Sequence, residues 1–145
     1  MADAKPPTTV ELIWSEGLRF GATAGKNAIV VDGDGGAGPS PMQVAAIGLA
    51  GCMAADVASI LEKGRQPFTG LRVSFRGERA ATPPRRFTRI TLQFHVSGAV
   101  APAAVDRAIA LSRETYCSVW HSLRQDIELD TSFEATPAPL DSAKG

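Results

Sequence analysis

Two cysteines, two histidines and one tyrosine are all that 145 residues offer of several side chains most used in catalysis. No sign of charge is in excess, since fifteen Lys and Arg balance fifteen Asp and Glu. Without a basic surplus or a dense Lys/Arg run, a nucleic-acid partner has no electrostatic footing. The first residues, Met1-Ala2-Asp3-Ala4-Lys5-Pro6-Pro7, contain no apolar core of a secretory signal. The longest apolar stretch, Val44 to Ala55, stops at Asp56. It falls short of the ~18 uninterrupted apolar residues of a membrane span, so no membrane role is expected. Two cysteines in a chain without an export signal read as reduced thiols, and the expected compartment is the cytoplasm.

What is present reads as one domain, residues 9–134, between small Pro-rich tails at 1–8 and 135–145. Its hydrophobic content of 44% is too high for a disordered chain. Val10 to Trp14 and Ala28 to Val31 are short β-prone runs, with Gly17, Gly21 and Gly25 marking turns between them. Leu71, Val73 and Phe75 alternate with polar residues, as do Ile90, Leu92, Phe94 and Val96, and again Ile127, Leu129, Thr131 and Phe133. That period of two predicts strands with one face on a core, paired as an antiparallel sheet. Two helical segments interrupt them, giving a β-β-α-β-β-α-β order and an α+β fold. The second helix opens at Pro102, and a short third covers Cys117 to Leu123.

The first helix has defined ends. Ser40-Pro41-Met42-Gln43 places Ser at the N-cap, Pro at N1 and Gln at N3, a capping box. Lys63-Gly64 supplies a cation in the last turn and a glycine beyond it. From Met42 to Ala55 only Gln43 is polar, so this half is expected to be buried on every side. One small domain rarely encloses a helix so completely, and the small residues along it suit close approach by a second subunit.

Three constellations could carry chemistry. Gly33-Asp34-Gly35-Gly36-Ala37-Gly38 has the spacing of a dinucleotide loop, but Pro39-Ser40-Pro41 parts it from the helix and the strands downstream read as antiparallel. A glycine loop without a cofactor is the expectation, and no cofactor is expected elsewhere. Asp32 and Asp34 begin like a calcium loop whose other ligands are missing. The cysteines say more. Cys52 lies in the apolar half of the first helix, with Asp56 one turn on, and His121 follows Cys117 by four residues. Free cysteine often packs as a small buried hydrophobe, so inert core thiols, a redox pair and a Cys/His/Asp metal site all stay open.

The stretch from Ser40 through Gly51-Cys52-Met53 to Gly64-Arg65 resembles the central helix of the OsmC/Ohr family of osmotically inducible and organic-hydroperoxide-resistance proteins. Thr115-Tyr116-Cys117-Ser118-Val119 resembles its second cysteine motif, and the likeness spans about residues 10 to 134. The resemblance implies an intertwined homodimer with central helices between the subunits. It also implies a cysteine-based peroxidase acting on organic hydroperoxides. In that chemistry Cys52 would be the peroxidatic thiol, Cys117 the resolving one, and a lipoyl-type dithiol the reductant. Family peroxidases carry a Glu directly after the Pro that opens this helix, paired with an Arg from the N-terminal strands. Here the Glu position is Met42, and Arg19 is the residue that matches the Arg, although an exposed strand charge accounts for it equally well. A differently acting domain that binds a small apolar ligand between subunits is the alternative. A metal site of Cys52, Asp56, Cys117 and His121 is the weaker third reading, and no metal is the expectation.

Overall fold

The computed structural model describes residues 4–137. The chain divides after Ala45 into two compact units. In the first, β1 (Glu11–Glu16), β2 (Arg19–Ala24) and β3 (Asn27–Asp32) form an antiparallel meander. Two-residue turns join them, each with a glycine at its first central position, Gly17 at φ 53° and Gly25 at φ 62°. Those positive angles are the reason for glycine there. The strand β2 corrects the expectation of turns between Trp14 and Ala28. Its Gly21, Ala22 and Ala24 give it no apolar alternation to read, and its existence rests on pairing to both neighbours.

The helix α1 (Pro41–Lys63) begins with the expected capping box. The Gln43 amide donates to Ser40 Oγ at 3.2 Å, and the Ser40 amide to Gln43 Oε1 at 2.9 Å. At its other end the left-handed position falls on Arg65, at φ 59°, and not on Gly64. The Gln66 amide donates to the Leu61 carbonyl and the Arg65 amide to that of Glu62, the paired bonds of a Schellman motif. A glycine one residue early therefore leaves a β-carbon in a region that L-residues avoid.

Within the single chain α1 is not buried on every side. One stripe is enclosed, Leu49, Met53, Val57 and Leu61, while Ile47 is 61% exposed and Gly51 and Ala55 on its side are open. By length and composition α1 could cross a membrane, because the helix continues through Asp56 to Lys63. Its enclosed stripe packs instead in the core of the second unit.

That core lies on one face of a sheet ordered β4 (Phe68–Arg79), β5 (Phe87–Gly98), β6 (Glu128–Thr136). Ile90, Leu92, Phe94 and Val96 of β5 are each no more than 1% exposed, as the alternation predicts. The pair β4–β5 is antiparallel, but β6 runs parallel to β5, which corrects the antiparallel sheet of the sequence reading. Parallel neighbours need a crossover of a dozen or more residues, and the segment between β5 and β6 supplies one. It holds α2 (Pro102–Leu111), a single π-helical turn (Ser112–Tyr116) and α3 (Ser118–His121). α2 buries Val105, Ala108 and Ile109. β6 takes in Ala135 and Thr136 from the segment read as a tail; residues 1–3 and 138–145 lie outside the described residues.

A glycine at position 65 adopts φ 59° freely, whereas a side chain there pays for the left-handed region. Arg65→Gly is expected to raise stability by about 0.5–1 kcal/mol in urea unfolding, after allowing for the extra entropy glycine loses. An unchanged or lower midpoint would mean that the Arg65 side chain contributes more than its backbone costs.

Candidate functional site

Cys52 and Asp56 sit one turn apart on α1, directly beside Met53 and Val57 of the buried stripe. Their side chains are half-buried while Cys117 is fully enclosed. Cys52 Sγ, an Asp56 carboxylate oxygen and Cys117 Sγ all lie within 4.8 Å of one another. The structure thus brings together three residues that sequence spacing only ordered along the chain.

Cys117 is placed by its own backbone. It ends the π-helical turn, and its amide donates to the Ser112 carbonyl at 2.8 Å. With φ −73° and ψ 99° it is the N-cap of α3, and its sulfur accepts a bond from the Trp120 amide at 3.3 Å. A cysteine here fills the role usual for Ser, Asp or Asn. Burial pushes its thiol up to about 11, against the lowering pull of the Trp120 amide. The neighbouring Cys52 sulfur pushes it the same way.

Ser112 anchors the acid. Its hydroxyl, fully buried, donates to Asp56 Oδ2 at 2.8 Å while its carbonyl holds the Cys117 amide. One residue thereby ties Asp56 of α1 to Cys117 of the crossover. Sequence reasoning missed Ser112; the one available signal was its place five residues before Cys117, which becomes meaningful only once the turn is known to be π-helical. Such turns often occur at functional sites.

His121 does not join the group. Because Cys117 is a cap in extended conformation, the four-residue spacing does not put the two side chains on one helix face, and His121 Nε2 lies 3.0 Å from the Arg113 carbonyl. The four-residue metal set of the sequence reading is therefore reduced to three.

Arg19 and the glycine loop belong to the first unit. Arg19 lies on β2 with Nη1 2.8 Å from Glu16 Oε2 and Nε 3.4 Å from Asp32 Oδ2. Asp32 is 2% exposed and organises the loop: its carboxylate accepts from the amides of Ala37 and Asp34, each at 2.9 Å. Those amides, Ala37 first, hold its carboxyl below the usual value of 3.8, with a smaller contribution from Arg19. Two of the loop's amides are thus committed to an internal anion, and that of Gly35 donates to the Asp32 carbonyl. Met42, in the position of the family Glu, lies half-buried in the first turn of α1, and Gln43 beside it is engaged in the cap.

Residues 33–132 match the family model described as OsmC-like protein, an interval that contains both cysteines and excludes Arg19. The chain belongs to the OsmC-like family. It is 43% identical over 128 residues to Protein YhfA of Escherichia coli K12, covering 86% of this chain and 96% of that protein. A hypothetical protein from Aquifex aeolicus VF5 shares the structure at a TM-score of 0.87 and 26% identity, over 93% of this chain and all of that one (100%). The organic hydroperoxide resistance protein OhrB of Bacillus subtilis superposes at a TM-score of 0.64 with 13% identity, covering 88% and 98% of the two chains. At that identity the likeness is one of fold. These structures bear out the α+β, OsmC-like architecture.

Asp32 gives the fold an acid-sensitive point. A carboxyl whose folded value is lowered contributes stability above its unfolded value near 3.8 and loses it as pH falls through the folded value. Stability should therefore rise with pH across that window, and Asp32→Asn should flatten this limb in thermal melts recorded from pH 2 to 6 (about the range that brackets it). An Asp32→Asn variant with the wild-type acid slope would place the sensitivity elsewhere.

Proposed function

We propose that the chain is a cysteine-based peroxidase that reduces organic hydroperoxides, as its resemblance to the hydroperoxide-resistance proteins implies. The observation that carries the reading is the approach of the two sulfurs to within 4.8 Å. Family membership supports a role in peroxide or stress chemistry. The Cys52 thiolate attacks one oxygen of ROOH, the O–O bond breaks, and the departing alkoxide takes a proton to leave as alcohol. Cys52 becomes a sulfenic acid. The Cys117 thiol condenses with it, the sulfur–sulfur bond forms, and the hydroxyl leaves with the thiol's proton as water. A lipoyl-type dithiol then reopens the disulfide by exchange and is itself oxidised to its cyclic disulfide.

Roles divide by exposure. Cys52 is the sulfur a substrate reaches, while Cys117 is enclosed and meets only what forms on Cys52. Closing to a bond near 2.05 Å needs local movement, which the π-helical turn before Cys117 supports better than the middle of α1. Arg19 as the activating cation belongs to this proposal through the resemblance alone. So do the homodimer and the cytoplasmic setting. The dimer is supported by the open side of α1 and by Leu12, Ile13, Trp14, Ile29 and Val30, each at least 45% exposed on the small sheet. They fall on both faces of that sheet, Leu12 and Ile29 on one and Ile13 and Val30 on the other, and exposed apolar side chains in such number favour a partner surface.

A second reading, binding of a small apolar ligand without peroxidase activity, is favoured by two observations. Position 42 carries no carboxylate, and the first unit holds an apolar cavity of about 380 Å³ bordered by Val10, Leu12, Ala22, Ile29, Val31 and Val44.

Thiol counting separates the two. Stoichiometric cumene hydroperoxide should consume two thiols per chain and form an intrachain disulfide. Cys52→Ser should abolish consumption, and Cys117→Ser should allow one turnover and then over-oxidation of Cys52 to sulfinic acid. Met42→Glu should raise the rate about 10-fold or more if a carboxylate is what the thiol lacks, and Arg19→Ala should lower it. Two free thiols after prolonged excess hydroperoxide end the peroxidase reading in favour of ligand binding.

A further inference from the structure

Buried ionisable groups persist when they are paired or hold a metal. Asp56 is half-buried beside two sulfurs, yet the ion pairs of the described residues all lie elsewhere. Among the described residues its carboxylate accepts from the neutral Ser112 hydroxyl, and the Cys117 sulfur is met by a backbone amide. No Lys, Arg or His among the described residues donates to Asp56 or to either thiol. Two soft donors and one hard donor thus converge with no protein cation among them. We propose that Cys52, Asp56 and Cys117 form a binding site for a thiophilic divalent cation of the Zn(II) class.

The donor set fits that class. Thiolate sulfur selects zinc over magnesium or calcium, and a carboxylate oxygen completes a borderline-soft trio. Zn–S and Zn–O bonds of about 2.3 and 2.0 Å put ligand atoms of a tetrahedral site roughly 3.3–3.8 Å apart. Atoms already within 4.8 Å of one another stand close to that spacing. Cys52 and Asp56, spaced i and i+4 on one helix, share a face, and Cys117 closes the set from a chain segment 61 residues beyond Asp56 (117 − 56). Ser112 supplies the outer contact that ligating carboxylates usually have, holding Oδ2 at 2.8 Å and leaving Oδ1 free to ligate. Three protein ligands leave a fourth position for water or a ligand from solution, and the half-exposed Cys52 and Asp56 give the ion its way in. An occupied site caps both sulfurs. Metal would then hold the thiols in reserve, and the inference stands whether or not the peroxidase reading does.

Co(II) is the probe. Added to reduced, metal-free full-length protein under anaerobic conditions, it should bind one ion per chain and give the sulfur-to-cobalt charge-transfer band with the strong visible bands of a tetrahedral site. Zn(II) should displace it and protect both thiols from N-ethylmaleimide. Cys52→Ser and Cys117→Ser should each weaken binding about 100-fold and diminish the charge-transfer band, and Asp56→Asn should weaken it while keeping the band; Ser112→Ala should cost about 10-fold. If Cys117→Ser fails to fold, Cys52→Ser at the half-exposed position carries the same test. Absence of the band in wild type, or wild-type affinity in Cys52→Ser, overturns the site. The titration involves no peroxide, so protein that binds Co(II) but leaves hydroperoxide untouched ends the peroxidase reading alone. Protein that consumes hydroperoxide yet binds no metal ends this one alone.

Discussion

Leu49, Met53, Val57 and Leu61 recur every four residues along α1, and burial of that one stripe fixes how the helix is turned about its axis. Each side chain contributes about 1.5–3 kcal/mol on full burial, so the four together hold roughly 6–12 kcal/mol. That is of the order of a whole domain's stability, about 5–15 kcal/mol. A helix rotated by one residue, about 100°, would forfeit most of it. Cys52 and Asp56 are each one residue before a member of the stripe, so their direction is set by hydrophobic burial and not by their own bonds. The chemistry of the site is in this sense a by-product of the core, and the apolar residues beside it are as necessary to it as the sulfurs.

The features legible in the sequence are those whose cause is local. Ser40 and Gln43 cap α1 because both partners lie within four residues. Ile90 to Val96 bury alternately because the pleat alternates. The features that escaped depend on pairing at a distance. β2 carries little apolar pattern and exists because β1 and β3 bond it on both edges. The direction of β6 beside β5 is a property of the crossover and leaves the same alternation whichever way the strand runs. The cap at Arg65 shifts by one residue because the paired bonds to Leu61 and Glu62 select the register, overriding the preference for Gly64. The two cysteines could be singled out from the sequence, and their approach could be implied by a family resemblance; the part of Ser112 could not. It emerges only when a π-helical turn places its hydroxyl on Asp56 and its carbonyl on Cys117.

Among the described residues, Asp32 and Asp56 show how differently a buried or half-buried aspartate can be accommodated. Asp32 receives two backbone amides and a guanidinium, and its carboxyl is correspondingly held low. That anion is satisfied within its own unit by the loop it organises. Asp56 receives one neutral hydroxyl and faces sulfur. The asymmetry is what separates a structural aspartate from one with unused capacity.

Thiol chemistry and metal binding impose opposite demands on the same three atoms. A peroxidatic thiol must be ionised before the substrate arrives, which requires a standing positive charge close to sulfur. Burial holds the Cys117 thiol well above its usual value, so Cys117 is suited to resolving and not to attacking. Cys52 then bears the whole requirement, and the carboxyl group of Asp56 lies beside it in this cluster. A divalent cation reverses the balance, because it brings the positive charge with it and ionises the thiols as it binds. The carboxyl group beside the sulfurs then helps hold the ion. Position 42 carries Met, and the carboxylate that stands beside the sulfurs is that of Asp56, one turn beyond Cys52.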